Sequence, residues 1–257
     1  MKLHFFGTCA GTEPLPGRNH QSMAIEINDT VYWFDAGSFC SSTAHFMGVD
    51  LLNIKSIIIS HPHMDHVGGL GNLLWNIRKL KAMQGRDTKY PEIALHIPEM
   101  KTWEGFSMIL QNTEGGFDGM TINASQVKDG VVFSDENMTV TAFHNRHLGI
   151  PQDNNWKSFT YLIEAEGKKV IYSGDLGGLD EIDAIIGDGC DALMMETGHH
   201  HYMDVCNYMK GKNIKNLFYT HNGRSILTDP QKALEDVQKA FDGNAVICSD
   251  GTTFELQ

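Results

Sequence analysis

The chain has 257 residues, 41% of them hydrophobic and 20% charged, which is ordinary for a globular protein and enough to bury a sizeable core. No apolar run approaches the length of a membrane span, and the opening MKLHFFGTCAG turns polar too soon for a secretory leader, so a soluble, cytoplasmic protein is expected. The net charge of −12 with neutral histidines repels polyanions, so gripping a long nucleic acid would need a local basic patch.

In chain order, period-two apolar segments predict strands at LHFF, MAIEI, VYWF, SIIIS, IALHI, MTVTAF, FTYLIEA, KVIYS, ALMME, NLFYT and AVICS. Helical patterns come between some of them, at LGNLLWNIRKLKAM, PEMKTWEGFSMILQ, LDEIDAII, MDVCNYMK and DPQKALEDVQKAF. The basic stretch RKLKAMQGR continues the first of these helices and reads as a solvated face. FTYLIEAEGKKVIYS turns on Glu166 and Gly167, a hairpin signal, whereas the later chain alternates strand and helix. This predicts mixed α/β architecture with substantial antiparallel sheet. No linker, charge block or fixed-period repeat divides residues 1–257, so one domain is expected. Trp103, Phe106 and Phe117, with Met108, could cap a pocket for a small substrate, but core packing of an amphipathic helix is the commoner reason for such spacing. The five cysteines are scattered without a C-x-x-C pair and read as buried thiols.

The chemistry concentrates just after strand ends. ISHPHMDHVGG places His61, His63, Asp65 and His66 within six positions, entering a glycine-rich helix start. A turn of this kind can aim His61 and His63 at one cation and direct Asp65 and His66 toward a second. Imidazole and carboxylate donors without thiolate suit zinc and also admit iron or manganese. Completing such a site needs partners from elsewhere: His144 or His147 in AFHNRHLG, Asp175 in YSGDLGG, and His221 in YTHNGR. A carboxylate such as Asp175 has two oxygens and can bridge two cations, which together turn a shared water into hydroxide near neutral pH. Arg224, three residues past His221, and Arg146, beside His147, are candidates for gripping an anionic group.

HPHMDH resembles the H-x-H-x-D-H signature of metallo-β-lactamase-fold hydrolases, and the later histidine, aspartate and histidine follow in that superfamily's order. The opening MKLHFFGTCAGTEPLPGRNHQSMAIEI with YWFDAGSF resembles the ribonuclease Z branch. The resemblance implies a four-layer αββα sandwich, with His61, His63 and His147 on one metal ion, Asp65, His66 and His221 on the other, and Asp175 between them. His147 is preferred to His144 because MTVTAF ends the preceding strand. Asp35, at the end of VYWFD, would brace the histidine loop by hydrogen bonds. In METGHHHYMDV, Glu196 and one of His199, His200 and His201 would help the leaving group, His199 being the position that gap-free counting back from His221 selects. Asp65, Glu196 and His199 are thus the expected catalytic residues.

The ribonuclease Z branch inserts a transfer-RNA-gripping arm between its third-motif histidine and the bridging aspartate. Here only 28 residues separate His147 from Asp175, and a loop and a hairpin consume them. A two-metal phosphodiesterase acting on a small nucleotide or other small anionic phosphodiester through a bridging hydroxide is therefore expected. The alternatives are a ribonuclease Z-like endoribonuclease and a lactonase, thioesterase or lactam hydrolase on the same site; a non-catalytic binding module fits the intact ligand set least. A homodimer is what the resembling branch implies.

Overall fold

The computed structural model describes residues 1–11, 15–113 and 120–257. These fall into two compact units, Met1–Val127 with Asp250–Gln257, and Lys128–Ser249. The first is built on β1 (Lys2–Gly7), β2 (Ser22–Ile27), β3 (Thr30–Phe34), β4 (Ile54–Ile58), β5 (Glu92–Ile97), β6 (Thr121–Gln126) and the returning β14 (Thr252–Glu255). Their order in the sheet is β14-β1-β2-β3-β4-β5-β6. Pairing is antiparallel from β14 through β3 and parallel from β3 to β6. The parallel half needs crossovers. These carry the helices α1 (Cys40–Phe46), α2 (Met64–Val67), α3 (Leu70–Gln84) and α4 (Met100–Gln111).

Strand β3 is buried along its whole length, which is why VYWF reads as a continuous apolar run rather than an alternating one. Phe6 stacks on Trp33 at 4.4 Å, and Ile57, Leu73, Leu74, Ile77 and Leu95 join them in one core. Helix α4 packs on this core through Trp103 and Phe106, and a Cβ on Gly71 of α3 would lie 3.1 Å from the Phe106 ring. Met108 is exposed on the same helix. Phe117, grouped with them by sequence, lies outside the described residues.

The second unit holds β7 (Gly130–Ser134), β8 (Met138–His144), β9 (Phe159–Ala165), β10 (Lys168–Tyr172), β11 (Ala192–Thr197), β12 (Asn216–Asn222) and β13 (Asn244–Ile247), in the order β13-β12-β11-β10-β9-β8-β7. It repeats the plan of the first: β7 to β10 pair antiparallel, then β10 to β13 parallel. The crossovers carry α5 (Asp183–Ile186), α6 (Tyr202–Met209), α7 (Arg224–Leu227) and α8 (Pro230–Ala240). The hairpin turn has Glu166 at φ 51° and Gly167 at φ 70°, both left-handed as a two-residue primed turn requires. Loop residues 148–158 and this β9–β10 hairpin occupy the interval between His147 and Asp175. Among the described residues no helix is long and apolar enough to cross a membrane. All five cysteines are buried free thiols.

Strands β6, β7 and β14 carry TINASQ, GVVFS and TTFE, which were not expected as strands. β6, β7 and β14 are edge strands, half exposed, and draw their order from the neighbour's hydrogen bonds rather than from an apolar pattern of their own.

Candidate metal centre

In the first unit, the parallel strands β3 and β4 bring Asp35 beside Ser60, and the ligand loop follows. His63 caps the N-terminus of α2, whose short turn carries Asp65 and His66. Asp35 adopts φ 53°, an unfavourable conformation for a non-glycine residue, held by Asp35 N–H donating to Ile58 O and by Ser22 Oγ and Trp33 Nε1 donating to its carbonyl. Its carboxylate is fully buried. Oδ1 accepts from Ser60 N at 2.6 Å, and Oδ2 accepts from Ser60 Oγ at 2.7 Å and His66 Nδ1 at 2.6 Å.

These bonds determine the tautomers. A carboxylate only accepts, so the His66 proton sits on Nδ1 and the lone pair on Nε2. Ser60 Oγ spends its one hydrogen on Asp35 and must accept from His61 Nδ1 at 3.1 Å, which leaves the His61 lone pair on Nε2. His61 Nε2 lies 3.1 Å from His63 Nδ1, and His66 Nε2 lies 3.5 Å from Asp65 Oδ2. Two donors bound to one tetrahedral ion at 2.0–2.1 Å stand about 3.3 Å apart. Both pairs have that spacing. Asp65 is seated by close backbone: a Cβ on Gly11 would fall 2.3 Å from its carboxylate carbon.

In the second unit, Asp175 follows β10 and is 1% exposed. Its Oδ2 lies 3.7 Å from His147 Nε2, while its Oδ1 lies 3.3 Å from His221 Nδ1. One carboxylate thus offers a different oxygen to each imidazole, with spacings that again suit shared ions. The triads His147, Asp175, His199 and Glu196, His199, His221 each have donor atoms within 4.8 Å of one another. His221 sits at φ 46°, a second left-handed non-glycine at a strand end. His147 hangs from Asn145, a buried residue whose Oδ1 accepts from His147 N at 3.1 Å and whose Nδ2 donates to Thr160 Oγ1. His144 points elsewhere: its Nδ1 and backbone N both meet Asp129, and its ring stacks on Trp156 at 4.0 Å.

Of the three consecutive histidines, His199 joins the cluster. Its Nδ1 is 3.2 Å from Glu196 Oε1 and its backbone N donates to Glu196 Oε2 at 2.9 Å, while 44% of its side chain stays exposed. Burial pushes the Glu196 carboxyl up, but the hydrogen bond from His199 and the His221 imidazole 3.8 Å away more than offset it and hold it below the usual carboxylate range. Donating that hydrogen bond to the Glu196 carboxylate raises the pKa of His199. His200 reaches only the edge of Glu196, at 3.6 Å, and His201 caps α6 through Met203 N. Arg224 opens α7, exposed, one turn beyond His221. Arg146 is committed to two acids, Asp180 and Glu181. Ser60, Asn145 and Glu181 went unnoticed in the sequence, since small polar and surface-type residues carry no ligand signal; only their neighbours' positions mark them.

Residues 37–240 match the family model of the beta-lactamase superfamily domain, and the chain belongs to that family. Among relatives, the ribonuclease Z of Listeria innocua serovar 6a is 28% identical over 99% of this chain and 77% of its own length; its Listeria monocytogenes counterparts align over 56% of theirs. Among solved structures, the metallo-beta-lactamase fold protein YhfI of Bacillus subtilis superposes with a TM-score of 0.74 at 17% identity, covering 99% of each chain. The short form of human tRNase Z gives 0.70 at 19% identity, covering 100% of each. The expected sandwich fold and the resemblance to metal-dependent hydrolases of this superfamily are borne out.

Proposed function

We propose that the chain is a binuclear metal-dependent hydrolase, a phosphodiesterase acting on a small nucleotide or another small anionic phosphodiester. The observation that carries this reading is Asp175, buried, with one carboxylate oxygen toward His147 and the other toward His221. His61, His63 and His147 would hold one ion and Asp65, His66 and His221 the other, with Asp175 shared between them. The donor set suits zinc first, then manganese or iron. When bound, the ions supply an acidified water and polarise the phosphoryl oxygen.

The chain's own residues do the rest. Asp35 and Ser60 keep the lone pairs of His66 and His61 on Nε2. His199, hydrogen-bonded to Glu196 through Nδ1 and exposed on its other side, can pass a proton to the departing oxygen. Arg224 is the residue assigned to grip the substrate's anionic group; Arg146, occupied by Asp180 and Glu181, is not. The single-domain organisation over residues 1–257, cytoplasmic location and a homodimer belong to the same proposal. The family match at 37–240 supports the first, since it crosses from one compact unit into the other.

A ribonuclease Z-like endoribonuclease is the second reading, favoured by the Listeria relative that aligns over 99% of this chain. The acidic charge and the short interval before Asp175 weigh against it. Metal content of the purified protein, followed by turnover of bis(p-nitrophenyl) phosphate, a chromogenic lactone and a precursor transfer RNA, separates these readings. Two metals with phosphodiester cleavage supports the proposal; lactone cleavage alone replaces it with a carbon–oxygen hydrolase, and a metal-free protein under metal-replete conditions ends it.

A further inference from the structure

The geometry points to Glu181 as a positioning residue that locks the loop presenting His147 to the loop presenting Asp175. Its side chain is 8% exposed, and its two oxygens accept four hydrogen bonds. Oε1 takes Arg146 N at 2.6 Å and Arg146 Nε at 2.9 Å, immediately before His147. Oε2 takes Gly177 N at 2.7 Å and Gly178 N at 2.9 Å, just after Asp175. One carboxylate therefore staples both donor-bearing loops, and two of its bonds go to each.

Two further observations make this a rigid staple rather than a passing surface contact. Glu181 lies in the turn Leu179–Ile182, whose Ile182 is fully buried in the core of the second unit, so the carboxylate is anchored from below. The stapled loops also touch directly: a Cβ on Gly177 would fall 2.9 Å from the Arg146 carbonyl carbon, so only glycine permits this approach. Asp180 contributes differently. It is 67% exposed and binds only the outer end of Arg146, at 2.8 and 3.0 Å. An exposed pair of that kind holds little. The 3.7 Å separation of His147 Nε2 from Asp175 Oδ2 is what the staple maintains, and supporting contacts of this sort typically set about 10- to 100-fold in metal affinity.

This inference rests on reading His147 and Asp175 as metal ligands. The test compares wild type with Glu181→Ala, Glu181→Gln and Asp180→Asn. Zinc affinity is measured by chelator competition, the visible spectrum is recorded after cobalt(II) loading, and kcat and KM are measured for bis(p-nitrophenyl) phosphate. Glutamine keeps one acceptor but turns its amide toward two N–H donors, so one loop should be released while the fold stays intact. Glu181→Ala and Glu181→Gln should weaken binding of one zinc by about 10-fold or more and alter the cobalt spectrum, with kcat falling more than KM rises. Asp180→Asn should stay within about 2-fold on every readout. Wild-type zinc affinity and an unchanged cobalt spectrum in a folded Glu181→Gln protein would overturn the inference while leaving the metal reading standing. A wild type that binds neither zinc nor cobalt would overturn both.

Discussion

Replacing Asp35 by asparagine exchanges one acceptor oxygen for a donor at a fully buried position where three donors converge. The remaining oxygen can keep Ser60 N. The new amide would face Ser60 Oγ and His66 Nδ1, so His66 must either lose its partner or move its proton to Nε2, the nitrogen that lies 3.5 Å from Asp65. A hydrogen bond to a charged group contributes about 1.5–3 kcal/mol, and the lost lone pair on Nε2 converts part of that into lost metal affinity. Affinity for one ion should fall by about 10- to 100-fold, equivalent to about 1.4–2.7 kcal/mol. The assay is zinc retained against a graded chelator series, with thermal unfolding of the metal-free variant run in parallel to separate binding from folding. An Asp35→Asn protein that folds and holds both ions as tightly as wild type would refute the tautomer argument.

Further outcomes follow from the same geometry. His147→Ala should weaken metal binding, whereas His144→Ala should leave metal content unchanged; equal losses from His144 and His147 would contradict the placement of His144 on Asp129 and Trp156. His199→Ala should retain metal and slow turnover by about 10² to 10⁴ for poor leaving groups and far less for activated ones; a uniform effect across leaving groups would remove it from proton donation. His96 on β5, whose Nδ1 meets Ser125 Oγ at 2.9 Å, is pushed by burial from 6.5 down to about 4. Its neutral form is the one the fold accommodates, so the stability it supports is complete above pH 6.5 and is lost as pH falls toward 4, by at most about 3 kcal/mol. Denaturant unfolding of His96→Gln between these pH values should show a flatter acid decline, and an identical slope would contradict the burial effect.

Much of the centre was legible along the chain because its first half is local. His61, His63, Asp65 and His66 lie on one strand–turn–helix step, and covalent spacing alone restricts where their side chains can reach. The strands that bear the rim residues carried apolar runs because parallel strands buried on both faces need them, and the hairpin at Glu166 and Gly167 announced itself through its turn chemistry. Asp175 and His221 stood out as ligand-type residues at strand ends.

What the chain could not decide by itself was the choice among neighbours. His144 ends β8 and His147 lies three residues on in the following loop, and His199, His200 and His201 are consecutive, so composition and spacing treat them alike. Only the tertiary course of the loops turns His144 to Asp129, His147 to Asp175, and His199 rather than its neighbours onto Glu196. Arg146 read as a substrate grip because its partners, Asp180 and Glu181, are over thirty residues away and paired with it only through folding. Ser60, Asn145 and Glu181 carry no signal of their own, since a hydrogen bond across a loop depends on where two backbones meet. The donors were written locally, but their tautomers, partners and spacing were decided by long-range pairing of strands.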